Sequence, residues 1–156
     1  MRIAVVADHN AVPMKARLVA RLTGQGHDVD DRGVHDEEIV DYPLLCEDVC
    51  AQVVAGAADT AIVLGGSGSG EAMACNKIRG IRATLCSDVF VAEIARANND
   101  ANVLVVGAKV IAPEAADRIV DVWLATSFRG GRHAERVAMI SALERGESLL
   151  DVVQER

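Results

Sequence analysis

The 156-residue chain carries 23 acidic and 16 basic side chains for a net charge of -7, and it is 51% apolar yet only 3% aromatic. With neither a general basic field nor a set of stacking rings it lacks the footprint of a nucleic-acid binder, and no stretch reaches the roughly 18 consecutive apolar residues of a membrane span. The length suits one domain over residues 1–156, and a core drawn from Val, Ala, Ile and Leu is the palette of buried parallel strands flanked by helices.

Apolar runs of strand length alternate with longer segments of helical period. The first run, Arg2–Ala7, ends at Asp8-His9-Asn10. Met14, Leu18, Val19 and Leu22 share one face of the next helix, which stops near Gly24-Gln25-Gly26. A weaker strand over residues 27–32 and an acidic loop over 33–41 lead to a helix opened by Tyr42-Pro43, running through Val54 and closed by Gly56. The central run, Thr60-Ala61-Ile62-Val63-Leu64, enters a turn of Gly and Ser that ends on Glu71 at the mouth of a short helix. A strand around 81–85, a helix over 87–97 and a strand over 102–106 follow. Pro113 then sits in the first turn of a helix that carries Ile119, Val120, Val122, Trp123 and Leu124 inward. After the break Arg129-Gly130-Gly131, a last helix runs from about Arg132 to Arg145. Five strand-like runs separated by helices predict an α/β domain with a parallel sheet, whose ligand crevice lies outside the carboxyl ends of the strands. Those ends are Asp8-His9, residues 65–70 and residues 107–109.

The turn Gly65-Gly66-Ser67-Gly68-Ser69-Gly70 leaves backbone N–H groups free to converge on an anion or a developing oxyanion. It is not a P-loop, since Glu71-Ala72 replaces the required Lys and Ser or Thr, and in the dinucleotide pattern the third Gly would fall at Glu71. A carboxylate beside oriented donors points instead to proton chemistry. Asp8 and His9 read equally as site residues or as a helix cap and a surface residue, and Tyr42 reads equally as an ordinary helix start. Arg129, Arg132, His133 and Arg136 form the dense basic cluster. Arg132 and Arg136 share a helix face and suit phosphate oxygens, although the residues alone favour a solvated face. The N-terminal MRIAVVADHN has no signal-peptide pattern, so a cytoplasmic location with reduced thiols at Cys46, Cys50, Cys75 and Cys86 is expected. Cys46 and Cys50, with no neighbouring His or third Cys, read as buried small hydrophobes rather than metal ligands.

Several pieces in order resemble the ribose-5-phosphate isomerase B and galactose-6-phosphate isomerase family over nearly the whole chain. They are Ala7-Asp8-His9, Val40-Asp41-Tyr42-Pro43, the run from Ile62 to Glu71, Ala74 to Lys77, Gly80-Ile81-Arg82-Ala83, Asn99-Asp100-Ala101-Asn102 and Gly130-Gly131-Arg132-His133. The resemblance implies a Rossmann-like three-layer α/β/α sandwich with a five-stranded parallel sheet, needing no metal and no organic cofactor. It implies a homodimer whose sites are completed by the partner, with pairing into tetramers left open. It also implies a sugar-phosphate substrate, interconverted between aldose and ketose through a cis-enediol. Some members place a Cys at the end of the third strand as base and others a Glu after the turn; with Gly65 and Glu71 this chain resembles the second type. On that basis Glu71 and Ser67 are the catalytic pair. Asp8, His9, Tyr42, Gly66, Ser67, Gly68, Ser69, Gly70, Asn98, Asn99 and Lys109 bind substrate, and Arg132, His133 and Arg136 of the partner hold the phosphate, Lys109 standing where an Arg is frequent.

Two departures stand out from the family pattern. Asn10-Ala11 follows His9 in place of Ala-Gly or Gly-Gly, and Asn98 replaces the His that opens the sugar ring, although an amide cannot shuttle a proton. A tetrose 4-phosphate has its O4 esterified and cannot close a furanose. The expected substrate pair is therefore of the ribose 5-phosphate type, with specialisation for erythrose 4-phosphate and erythrulose 4-phosphate. The competing view is that His9 or a water opens the ring and the pentose remains the substrate. The alternative from another class is a phosphate- or nucleotide-binding regulatory module without turnover.

Overall fold

The apolar runs assemble into one five-stranded parallel sheet, with β1 (Arg2–Ala7), β2 (Asp28–Gly33), β3 (Thr60–Gly65), β4 (Ala83–Leu85) and β5 (Val103–Gly107) in the order β2-β1-β3-β5-β4. The helices are α1 (Val12–Gly24), α2 (Tyr42–Val54), α3 (Ser69–Cys75), α4 (Val89–Asn99), α5 (Pro113–Ala125) and α6 (Arg132–Glu144). The computed structural model describes residues 1–36 and 38–150.

The strands β1, β3 and β5 read as unbroken apolar runs because the sheet is covered on both sides, and successive side chains go to opposite faces. Ile3, Val5, Ile62, Leu64, Leu104 and Val106 pack with Leu18 and Leu22 of α1, Ala92 and Ala95 of α4, and Ile119, Val120 and Trp123 of α5. Ala4, Val6, Ala61, Val63, Val103 and Val105 pack with Cys46, Val49 and Cys50 of α2 and Cys75 of α3. The result is the expected three-layer α/β/α arrangement. All four thiols are free and buried, and burial pushes the Cys86 thiol up to about 12. Among the described residues no group of three His, Cys, Asp or Glu side chains is arranged to hold a metal ion. No described helix is long and apolar enough to cross a membrane.

Two buried polar contacts tie the layers. The Trp123 indole N–H donates to Thr60 Oγ1 at 3.0 Å, and that hydroxyl donates to the Asn102 carbonyl at 2.9 Å. Lys15, 1% exposed, donates to the Arg32 carbonyl at 2.8 Å and pairs with Asp31 at 2.6 Å, which pins α1 to β2. A buried ammonium is tolerable because it is paired and hydrogen-bonded.

Several element boundaries differ from the sequence reading: the fifth strand, expected over 102–106, covers Val103–Gly107, and the last helix ends at Glu144. The second strand begins one residue later, at Asp28, and the fourth covers only Ala83–Leu85. Its expected start is taken by other bonds: the Ile81 N–H donates to the Ile78 carbonyl, and the Arg82 N–H to Asn102 Oδ1 at 2.8 Å. The helix expected over 87–97 runs from Val89 to Asn99 instead, because Asp88 caps it by accepting from the Val91 N–H and Asp100 ends it in the left-handed region at φ 47°. Asn98 and Asn99 therefore stand in a last helical turn and not in a loop.

From β1 the chain goes to β2 on one side, and then to β3 on the other. That reversal opens a crevice at the carboxyl ends of β1 and β3, where parallel α/β sheets hold their ligands.

Candidate active site

The crevice is built by three chain segments that follow β1, β3 and β5. The loop after β5 is zipped to the turn after β3: the Ala108 N–H donates to the Gly65 carbonyl at 2.8 Å and the Lys109 N–H to the Gly66 carbonyl at 2.9 Å. Close approach here requires glycine, since a Cβ on Gly107 would stand 2.5 Å from the Ser67 carbonyl oxygen. Gly68, at φ 80°, turns the chain into α3. Among the described residues the N–H groups of Gly66, Ser67, Gly68 and Gly70 make no hydrogen bond, so they remain free as donors to a ligand. The Ser69 N–H donates to Ser67 Oγ at 3.2 Å, which leaves the Ser67 hydroxyl proton free.

Glu71, the third residue of α3, folds back over the end of β3 and is 5% exposed. Its carboxylate fills the space that any side chain at residue 65 would need: a Cβ on Gly65 would fall inside the van der Waals radii of Glu71 Cδ and both its oxygens. Desolvation raises its pKa above the ordinary glutamate value; the N–H of its own backbone opposes this and the nearby Asp8 carboxylate adds to it. A buried carboxylate poised in this way beside free N–H donors is suited to taking and returning a proton. Tyr42, at the start of α2, lies against the turn, its ring carbon Cζ and hydroxyl each 2.6 Å from where a Cβ on Gly70 would be.

After β1, Asp8 is 6% exposed and does not cap α1, whose N-cap is Ala11. Its carboxylate accepts instead from the Asn10 N–H and from Asn10 Nδ2, both at 2.8 Å. His9 is half-buried, not a surface residue; Nε2 is 3.2 Å from Asn10 Nδ2, and Nδ1 is buried with no partner among the described residues. Lys109 Nζ donates to Asn10 Oδ1 at 2.6 Å. Asn10, set apart in the sequence only as a departure from a family pattern, is thus a hub of the crevice. No local signal marks it, because its partners come from two loops.

One chain thus gathers Asp8, His9, Tyr42, residues 66–70, Glu71 and Lys109 at one end of the sheet. The other predicted residues lie apart. Asn98 Oδ1 accepts from Arg129 at 3.3 Å, and Asn99 borders a cavity of about 750 Å³ lined also by Lys77, Arg82, Ile140 and Leu143. Arg132, His133 and Arg136 stand on α6, which packs on α4, and no hydrogen bond among the described residues joins them to the turn.

Known proteins resemble this chain over nearly its whole length. Residues 3–140 match a family model described as Ribose/Galactose Isomerase. The chain is 41% identical over 143 residues to ribose-5-phosphate isomerase B of Escherichia coli, covering 92% of this chain and 96% of that protein. Among solved structures, ribose-5-phosphate isomerase B of Clostridium thermocellum superposes with a TM-score of 0.92 at 40% identity, covering 95% of this chain and all of that one. A ribose 5-phosphate isomerase of Thermotoga maritima superposes with a TM-score of 0.88 at 41% identity, covering 90% of this chain and 97% of that one.

Proposed function

The chain belongs to the ribose/galactose isomerase family and is a sugar-phosphate isomerase of the ribose-5-phosphate isomerase B type; within that class we propose that its substrates are the four-carbon pair erythrose 4-phosphate and erythrulose 4-phosphate. The observation that carries the finer reading is Asn98, an amide whose oxygen is engaged by Arg129 where a ring-opening His is expected from the family pattern. A pentose 5-phosphate spends most of its time as a furanose and needs an acid–base group to open it. A tetrose 4-phosphate has no free O4, stays open, and needs none.

In this mechanism the aldehyde end enters the Gly-rich turn and Glu71 takes the proton from C2. The C–H electron pair becomes the C1–C2 double bond of a cis-enediolate, and the charge that reaches O1 is held by the free N–H groups of Gly66, Ser67, Gly68 and Gly70. The Ser67 hydroxyl supports the proton exchange between O1 and O2. Glu71 then returns its proton to C1 and the ketose forms. The chain's own groups supply both base and oxyanion donors, so the reaction proceeds without metal or organic cofactor. Lys109 meets the phosphate as a point charge, and Arg132, His133 and Arg136 of a second copy of the chain supply the remaining cations. Support for a second copy comes from α6, which buries none of its residues and exposes Met139, Ile140 and Leu143.

The test is kcat/KM on erythrose 4-phosphate against ribose 5-phosphate. The expected outcome is a clear preference for the tetrose, with solvent deuterium washed into C2 during turnover. A preference for ribose 5-phosphate overturns the four-carbon reading, and absence of exchange with any sugar phosphate overturns the proton-transfer mechanism.

A further inference from the structure

Asn10 makes more polar contacts than any other side chain at the crevice, and their chemistry fixes its orientation. Lys109 Nζ, 2.6 Å away, is an ammonium and can only donate, so the atom facing it must be the carboxamide oxygen. The NH2 end then faces Asp8 Oδ2 at 2.8 Å and His9 Nε2 at 3.2 Å. An amide nitrogen donates and does not accept, so His9 Nε2 must be the acceptor. In the neutral ring its proton therefore sits on Nδ1, a buried atom without a partner among the described residues. His9 thus offers the crevice neither an Nε2–H acid nor a free lone pair. The same side chain occupies space above the turn, with Cβ, Cγ and Nδ2 of Asn10 3.5–3.6 Å from the position of a Cβ on Gly66. By holding Lys109 it also draws a phosphate-binding cation close to the donors that receive the carbonyl.

We propose that Asn10 is the specificity-determining residue of this chain: its carboxamide shortens the site between Lys109 and the Gly-rich turn and withdraws His9 from acid–base work. A short substrate that is always open fits such a site. A longer one that must first be unlocked from its ring does not. The inference rests on the four-carbon reading above and names the group that enforces it.

Asn10→Ala removes both effects and Asn10→Asp keeps the size and the Lys109 contact while removing the NH2 donor. In Asn10→Ala the ratio of kcat/KM for erythrose 4-phosphate to that for ribose 5-phosphate should fall by about tenfold or more, the scale on which one lost pocket contact changes discrimination. The fall should arise from a higher KM for the tetrose together with a higher kcat for the pentose. Nitrogen NMR of the histidine rings should show His9 protonated on Nδ1 alone in the unaltered protein and gaining an Nε2 proton in both variants. A merely structural role for Asn10 would lower both activities together and leave their ratio unchanged, which would overturn the assignment while the four-carbon reading stood. An Nε2–H tautomer in the unaltered protein would overturn it as well. If the unaltered protein itself prefers ribose 5-phosphate, both readings fall.

Discussion

Glu71 is buried, and the proposed role of base needs it charged, so the two conditions oppose each other. Glu71→Gln should lower kcat by about 10²–10⁴, the usual contribution of a positioned base, while binding of a phosphorylated inhibitor by calorimetry stays near the unaltered value. Because desolvation raises its pKa in the folded state, the acid limb of kcat/KM should fall at a pH above the ordinary glutamate value. The same shift fixes the sign for stability. Between the ordinary value and the raised one the folded state binds more protons than the unfolded state, so stability declines as pH rises through that window and the loss persists above it. Glu71→Gln carries no such charge and should melt at a higher temperature than the unaltered protein at neutral pH, with the difference disappearing below the ordinary glutamate value. An equal melting temperature at both pH values would show that the buried charge is not costly. Glu71 was legible in the sequence because a carboxylate after a Gly-rich turn is odd by itself. Asn10 was not, since nothing local says that residue 109 will reach it.

At the scale of the element, β3 divides its labour between its two ends. Gly65, at the carboxyl end, makes room for the Glu71 carboxylate, while Thr60, at the amino end, accepts from Trp123 and donates to Asn102. Thr60→Val would strand the indole N–H in the core and should cost about 1–3 kcal/mol in urea unfolding, with kcat/KM unchanged because the loss lies at the far end of the strand. The helices and central strands follow their periodicity closely, since apolar stripes must face the sheet wherever the chain places them. The edges do not. The start of β4 depends on Asn102 claiming the Arg82 N–H, and the ends of α4 on a capping Asp88 and a left-handed Asp100. Caps are readable in principle, but they shifted this helix by two residues and carried Asn98 and Asn99 from a loop into its last turn.

For the whole molecule, the predicted residues fall into two groups, one at the Gly-rich turn and one on α4 and α6. A sequence cannot say whether two such groups meet within one copy or between copies, because motif order is the same in both cases. If the sites are shared, Glu71→Gln and Arg136→Ala chains damage different halves. A mixed dimer then holds one site with both defects and one with neither. Mixing two nearly inactive preparations should restore activity, up to one working site per mixed dimer; if mixing restores nothing, each chain works alone.

The fit of the Glu71 carboxylate into the space above Gly65 also bears on the history of the enzyme. Two of the four glycine codons become cysteine codons by a single nucleotide change, so from those codons a thiol at residue 65, the alternative base that the family resemblance implies, is one step away. Yet the new Cβ would land on the old base, and a lineage taking that step would disable Glu71 before the thiol had an environment to activate it. The two substitutions are coupled by contact, so neither is favourable first. With Glu71 as the proposed base, the choice between carboxylate and thiol is held in place by mutual exclusion as much as by chemistry.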